Sequence, residues 1–303
     1  MGWLLGWPLL TVAAAAAQTA RNAMQRDLTG RLGTVGATHV RVLFGAPFAL
    51  LFLGGLLLAS GEAPPAPPPS FWAWVASGAL TQVLATALML ATMSRRSFVV
   101  STAYIKTEPV QVALFGLVLL GDPLRLSTAL AIGLATLGVI LLARRGDGAA
   151  TDRRDGLTAA GLGLGAAALF ALSAVGFRGA VTSLPTPNLL TAAAVTLAAA
   201  LTLQAAALSL YLLWRQRSTL VALLRLWRPS LLAGLMGAVA SQFWFLAFAQ
   251  TSAANVRTLA LIEVPFAQLV ALRAFRQRPG RRDVIGILLI VSGCLLLLHG
   301  ETN

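Results

Sequence analysis

The sequence predicts an all-α integral membrane protein of ten transmembrane helices, arranged as a 5+5 inverted repeat. Three observations carry that prediction. Only 11% of the 303 residues are charged, 57% are hydrophobic, and mean hydropathy is +0.80. A soluble domain is about 25% charged and about 45–50% apolar. The apolar residues fall into ten stretches close to the roughly 20 residues that a bilayer span needs, and the second five stretches echo the first five.

The spans are predicted at 3–22, 34–59, 71–92, 98–120, 126–143, 157–179, 189–213, 230–250, 255–274 and 283–299. Span 1 resembles the apolar core of a secretion signal from Leu4 to Ala17. It lacks a basic leader, and its apolar run continues to Ala20, so it reads as a retained span. A stiff, polyproline-like stretch, Glu62-Ala-Pro-Pro-Ala-Pro-Pro-Pro, separates spans 2 and 3. The most polar segment lies near the midpoint, at Arg144-Arg-Gly-Asp-Gly and Thr151-Asp-Arg-Arg-Asp. It divides the chain into a first repeat (1–147), a cytoplasmic linker (148–155) and a second repeat (156–303). Span 6 carries Gly161 and Gly165 four apart, the spacing that lets membrane helices approach closely. No alternating strand pattern occurs, which argues against a β-barrel.

The formal charge is +13. In a soluble protein that excess would point to nucleic acid. Here 17 of the 23 basic residues fall in the odd-numbered loops: Arg26, Arg31, Arg95, Arg96, Arg144, Arg145, Arg153, Arg154, Arg215, Arg217, Arg225, Arg228, Arg273, Arg276, Arg278, Arg281 and Arg282. The other face has only Arg125 with Glu62, Asp122 and Glu301. The positive-inside rule places the odd loops in the cytoplasm and both termini on the outer, periplasmic face of a cell inner membrane. The charge is thus a topology signal, and the expected surroundings are lipid, not nucleic acid. Trp3, Trp7, Trp72, Trp74, Trp214 and Trp227 sit at span ends, where interfacial tryptophans belong; Trp244 is mid-span. One cysteine, Cys294, rules out an intrachain disulfide, and two histidines, His39 and His299, are too few for a histidine-rich metal site.

Sliding the chain by 155 residues matches Trp72 with Trp227, Ser97 with Ser252, Glu108 with Glu263 and Gly138 with Gly293. A two-residue gap aligns Arg21-Asn-Ala23 with Arg178-Gly-Ala180. Five spans per half is an odd number, so the halves enter the membrane in opposite directions. Secondary transporters use such inverted repeats for alternating access around a midmembrane site.

Thr107-Glu108-Pro109-Val110, Leu119-Leu120-Gly121-Asp122-Pro123-Leu124, Ile132-Gly133 and Leu137-Gly138-Val139-Ile140-Leu141-Leu142 together resemble the helix 4–5 signature of the EamA-type drug/metabolite transporters. That family shows Glu-Pro-Val, then Gly-Glu, then glycines in helix 5, and Arg41 matches a recurrent arginine of its second span. The second copy departs from the pattern: Glu263-Val264-Pro265-Phe266-Ala267 has an extra residue before proline, and Arg276-Gln277 replaces Gly-Glu. Gly286, Ser292-Gly293 and Leu295 to Leu298 restore it. The resemblance implies ten helices, no cofactor, and export or exchange of small metabolites. In length and plan the chain looks most similar to the bacterial amino-acid exporters, the aromatic type included.

Ionisable groups within spans cost about 2.5–3.5 kcal/mol each on insertion scales and are functional suspects. Here they are Arg21, Arg41, Lys106, Glu108, Arg178, Arg257 and Glu263. Arg21 and Arg178 lie near span ends, where snorkelling accounts for them. Lys106 is the only lysine, a compact and titratable cation suited to a substrate carboxylate. On a continuous helix Tyr104, Thr107, Glu108 and Gln111 share a face, and Lys106 points about 200° away from Glu108. Lys106 is therefore expected to face another helix, or one wall of a cavity while Glu108 faces packing. Asn255, Leu259 and Glu263 share a face of span 9, with Phe266 below. Glu263 first and Glu108 second are the candidates for an ammonium or a proton, with structural support of the proline kinks as the alternative for both. Pro109 and Pro265 are candidate hinges, with a static kink as the alternative. Gln82, Gln242, Asn22 and His39 add midspan polarity, with Gln18 beside Asn22 on span 1. Trp244 and Phe248 offer an aromatic wall, for which lipid-facing packing is the plain alternative.

A metabolite or drug exporter of another specificity is the nearest rival reading. An intramembrane enzyme lacks support, since no Gly-x-Ser-x-Gly, His-Glu-x-x-His or intraspan aspartate pair occurs. A channel would need a ring of filter loops that a single ten-span chain does not supply. The charge asymmetry makes one direct prediction. A reporter active only outside the cytoplasm, fused after Asn303, should be active; an inactive fusion with an active cytoplasmic reporter would reverse the orientation.

Overall fold

A chain in hydrocarbon has no water to bond its N–H and C=O groups, so it must satisfy them within helices. The computed structural model describes residues 6–93, 104–143, 153–265 and 280–302, and no strand occurs among them. Their elements are α1 (Trp7–Ser60), α2 (Pro69–Met93), α3 (Glu108–Leu120), α4 (Leu126–Ala143), α5 (Arg153–Ser183), α6 (Leu189–Arg215), α7 (Arg217–Arg225), α8 (Trp227–Gln250), α9 (Ala253–Leu259), a 3-10 turn (Ala260–Ile262) and α10 (Arg281–Thr302). Five segments are individually long and apolar enough to cross a bilayer: Val35–Ser60, Pro69–Met89, Leu157–Ser183, Leu189–Arg215 and Trp227–Gln250. Shorter apolar helices cover Glu108–Leu120, Leu126–Leu142 and Val284–Gly300. The linker 148–152, Trp3, Phe266 and Arg95, Arg96, Arg144, Arg145, Arg273, Arg276 and Arg278 lie outside the described residues, as do the side chains of Asn22, Arg26, Arg31, Arg153 and Arg154.

Two local results differ from the sequence reading. The expected loop at 23–33 is helical: α1 joins spans 1 and 2, and its one non-helical residue is Gly33, at φ 64° and ψ −178°. Ala23, Met24, Gln25, Arg26 and Leu28 are good helix formers with no proline among them. The change of direction therefore concentrates at the one residue that adopts positive φ without a Cβ clash. Second, the loop between spans 7 and 8 contains a helix, α7. The proline-rich stretch 62–68 is non-helical, and α1 ends ahead of it at Gly61 with φ 66°. Asn188 starts α6 by accepting from the N–H groups of Leu190 (3.1 Å) and Thr191 (3.3 Å).

The chain forms two compact units, Met1–Val83 with Gly176–Thr251, and Leu84–Val175 with Ser252–Asn303. Each takes helices from both sequence halves. In the first unit α1 packs on α8 and α6. A Cβ at Gly234 would lie 2.6 Å from the Phe44 backbone, and one at Gly176 would lie 3.0 Å from Gly78 Cα. In the second unit α4 and α10 run antiparallel. Gly286, Gly293 and Gly300, seven residues apart, meet Gly138, Ala131 with Ala135, and Ser127 in turn. These contacts bring backbone against backbone, the packing that holds helices together where lipid removes the hydrophobic drive.

Gly138→Leu should therefore lower thermal stability by about 1–3 kcal/mol or more, since its Cβ would sit 2.6 Å from the Gly286 carbonyl oxygen. Gly133→Leu, on the same helix with no atom within 4 Å of its Cβ, should be close to neutral. Melting of the two variants in detergent, followed by monodispersity, checks the contrast.

Candidate functional site

Span 4 does not run as one helix. Residues 104–105 are helical, Lys106 and Thr107 form a turn, and α3 starts afresh at Glu108. Pro109 is the cause. Its ring would clash with the Ile105 carbonyl if the helix continued backward, and its missing N–H costs nothing in a first turn. The turn is internally satisfied: the Thr107 N–H bonds the Tyr104 carbonyl at 3.2 Å, and its hydroxyl donates to the same oxygen at 2.6 Å. The far end of α3 closes at Gly121, φ 67°, where the N–H groups of Gly121 and Asp122 both reach the Gly116 carbonyl.

The second repeat breaks at the equivalent place. α9 ends at Leu259, the 3-10 turn follows, and helix resumes at 263–265 with Pro265 inside it. Leu261, the residue whose carbonyl Pro265 would strike, lies in that turn. Each glutamate thus stands where a helix restarts after a proline-imposed break. At the start of α3 the helix dipole favours the Glu108 carboxylate, while the Glu263 N–H itself stays bonded to the Ala260 carbonyl. Both prolines, the candidate hinges or kinks, stand at interruptions of their spans. What they make is a stop and a restart, and the shared face proposed for Tyr104, Thr107, Glu108 and Gln111 loses its premise.

The charges at the two breaks pair across the repeat, all within the second unit. Lys106 Nζ binds Glu263 Oε1. Arg257 Nε lies 3.2 Å from Glu108 Oε1. The four side chains are between 14% and 22% exposed, so each charge needs its partner. Lys106 thus meets another helix rather than Glu108. The cluster holds two cations and two anions. Gln111 Oε1 is buried without a hydrogen-bond partner among the described residues. Tyr104 is partly buried and packs on α5, its Cβ at the spot where Gly163 leaves room.

The remaining candidates fall in the first unit. Gln82 Oε1 accepts from Arg41 Nη2 at 3.0 Å and from Gln204 Nε2 at 2.9 Å, and Gln204 also donates to the Ala79 carbonyl at 3.2 Å. His39 is fully buried and its Nε2 lies 2.9 Å from Ser209 Oγ. Trp244 is buried and donates from Nε1 to Gln18 Oε1 at 3.2 Å. Phe248 is fully buried and stacks with Phe245, so neither of these aromatics faces lipid. Gln242 Oε1 is buried without a partner. Arg178 does not snorkel: its Nη1 donates to the carbonyls of Phe248, at 2.6 Å, and Thr251, closing the C-terminal end of α8. The sequence reading passed over Gln204 and Ser209, although a glutamine and a serine in an apolar helix were a visible signal, and it gave Arg257 no partner. No group of three or more His, Cys, Asp or Glu converges on a metal position among the described residues.

A sequence profile of the EamA-like transporter family matches residues 5–144 and 157–299. No curated protein matches the chain in sequence. A solved structure described only as "Crystal structure of protein" is 17% identical, covers 98% of both chains and superposes with a TM-score of 0.69; this likeness concerns the fold.

The crossed pairing predicts strong non-additivity. Lys106→Met should destabilise the protein by up to about 3–5 kcal/mol, because Glu263 is left buried without its cation. Adding Glu263→Gln should restore a large part of that loss, as a thermal-unfolding double-mutant cycle would read.

Proposed function

Because the chain belongs to the EamA-like transporter family, we propose that it is a secondary transporter. It carries small metabolites, amino acids in particular, out across an inner membrane by alternating access. The observation that supports this reading is the crossed charge cluster of Lys106, Glu263, Arg257 and Glu108 at two helix breaks. An amino acid brings one carboxylate and one ammonium. Exchanging the Lys106–Glu263 pair for Lys106–carboxylate and ammonium–Glu263 leaves every charge compensated before and after binding. Such an exchange avoids the penalty of a lone ion in a low-dielectric site. A purely cationic or anionic solute would leave one charge over.

Within this reading the two pairs differ in role. Lys106 sits in the turn itself and Glu263 begins the second restart, so both belong to short, interrupted backbone. Interrupted helices at midmembrane are where transporters of inverted-repeat design place their ligands. Glu108 is tied to the intact Glu-Pro step of α3 and held by Arg257, which suits support of the break. Gln111 Oε1 offers an open acceptor for a substrate N–H group. Tyr104 supplies aromatic surface for an apolar or aromatic side chain.

The test is flux of radiolabelled amino acids from proteoliposomes, compared at matched amounts of folded protein. Wild type should saturate with substrate. Lys106→Ala should abolish flux, and wild-type rates for that variant would remove the lysine from the binding role. Glu263→Gln should lose at least about tenfold more flux than Glu108→Gln, because it keeps the shape and removes the charge that an ammonium requires. A larger loss at Glu108 would exchange the roles of the two carboxylates. Equal small losses would make both structural.

A further inference from the structure

We propose that α7 and the tryptophan–arginine steps on either side of it form a binding surface for anionic phospholipid headgroups. The surface belongs to the first unit, whereas Lys106, Glu108, Arg257 and Glu263 belong to the second. α7 connects α6 to α8, both long enough to span a bilayer, so it sits where the chain turns at one membrane face. Its inner side is spent on the protein. Leu223 is fully buried, and with Ala222 and Leu226 it packs against Leu28, Leu32, Val40, Met24, Leu43, Phe44 and Ala233.

The outer side keeps two chemistries that water alone does not reward. Val221 is 48% exposed and Leu224 54%. By the 100° turn per residue Val221 lies between Arg217 and Arg225, and Leu224 lies about 20° beyond Arg217, so arginines and apolar residues alternate along one face. A face on which exposed apolar residues alternate with arginines fits the boundary between headgroups and acyl chains. Two exposed tryptophans bracket the helix, Trp214 at 75% and Trp227 at 50%. Each carries the next residue's guanidinium over its ring, Arg215 at 4.2 Å and Arg228 at 5.5 Å. The rings fit the interfacial belt, and their stacking presents the guanidiniums beside it.

Charge complementarity selects the lipid. From Gly156 to Ile262 the sequence has no aspartate or glutamate, so no carboxylate of this stretch competes for Arg215, Arg217, Arg225 and Arg228. Arg217 also spends its Nε on the Leu213 carbonyl at 2.8 Å, which fixes its side chain along the end of α6 and leaves its terminal amino groups to a phosphate. Under the orientation argued from the loop charges, this face meets the cytoplasmic leaflet, where anionic lipids collect.

The full chain, purified in a neutral detergent, is titrated with phosphatidylglycerol or phosphatidylcholine, and bound lipid is counted by mass spectrometry of the intact complex. Phosphatidylglycerol should be retained in preference, and Arg217→Gln/Arg225→Gln should weaken it by about 10- to 30-fold while leaving phosphatidylcholine unchanged. Equal retention of the two lipids overturns the proposal, as does equal phosphatidylglycerol affinity in wild type and variant. Inorganic phosphate should not displace the lipid; displacement would mean a site for soluble anions and overturns the lipid assignment. Should the double variant lose the wild-type melting transition in phosphatidylcholine, Arg228→Gln alone decides, and unchanged phosphatidylglycerol affinity there overturns the proposal.

Discussion

Hydrocarbon offers no hydrogen-bond partner, and the rest of this structure follows from that. The chain can bend only where something replaces the lost ladder bonds. At Gly33 a single positive φ turns α1 with no proline or loop. At Lys106–Thr107 the hydroxyl and N–H of Thr107 both return to the Tyr104 carbonyl. At the end of α8 the guanidinium of Arg178 takes the Phe248 and Thr251 carbonyls. The Thr107 turn and the end of α8 are each matched by a nearby donor, and the two proline breaks are accompanied by charge pairs.

The same solvent explains why the ionisable groups come in opposed sets. Within the second unit two cations and two carboxylates neutralise one another at the breaks. Removing any one of them leaves its partner in a medium that punishes lone charge. That penalty ties the helix starting at Glu108 to α9 and the helix resuming at Glu263 to the turn before α3. The arginines beside α7, Arg215 and Arg228, instead sit over the rings of Trp214 and Trp227.

Packing is carried by small residues. The seven-residue spacing of Gly286, Gly293 and Gly300 matches small positions on α4, and Gly234 and Gly176 do the same service for α1 and α2. Because each compact unit draws on both sequence halves, the repeats visible in the sequence are not the packed bodies.

Much of this was legible beforehand. Hydropathy dictated helices and the match of Glu108 with Glu263 exposed the repeat, because each of these is a property of the chain against its solvent. Midspan ionisable residues marked the candidate site for the same reason: their cost does not depend on a partner. What tertiary structure decided is who pairs with whom. Lys106 and Glu263 lie 157 positions apart, and no periodicity relates them. Trp244 finding Gln18, Arg178 finding the end of α8, and α7 folding its inner face onto α1 are likewise choices made between helices. A helix's own sequence states which groups must be satisfied. Only the packing of separate helices states which atoms satisfy them, since that depends on distances the chain's order does not contain.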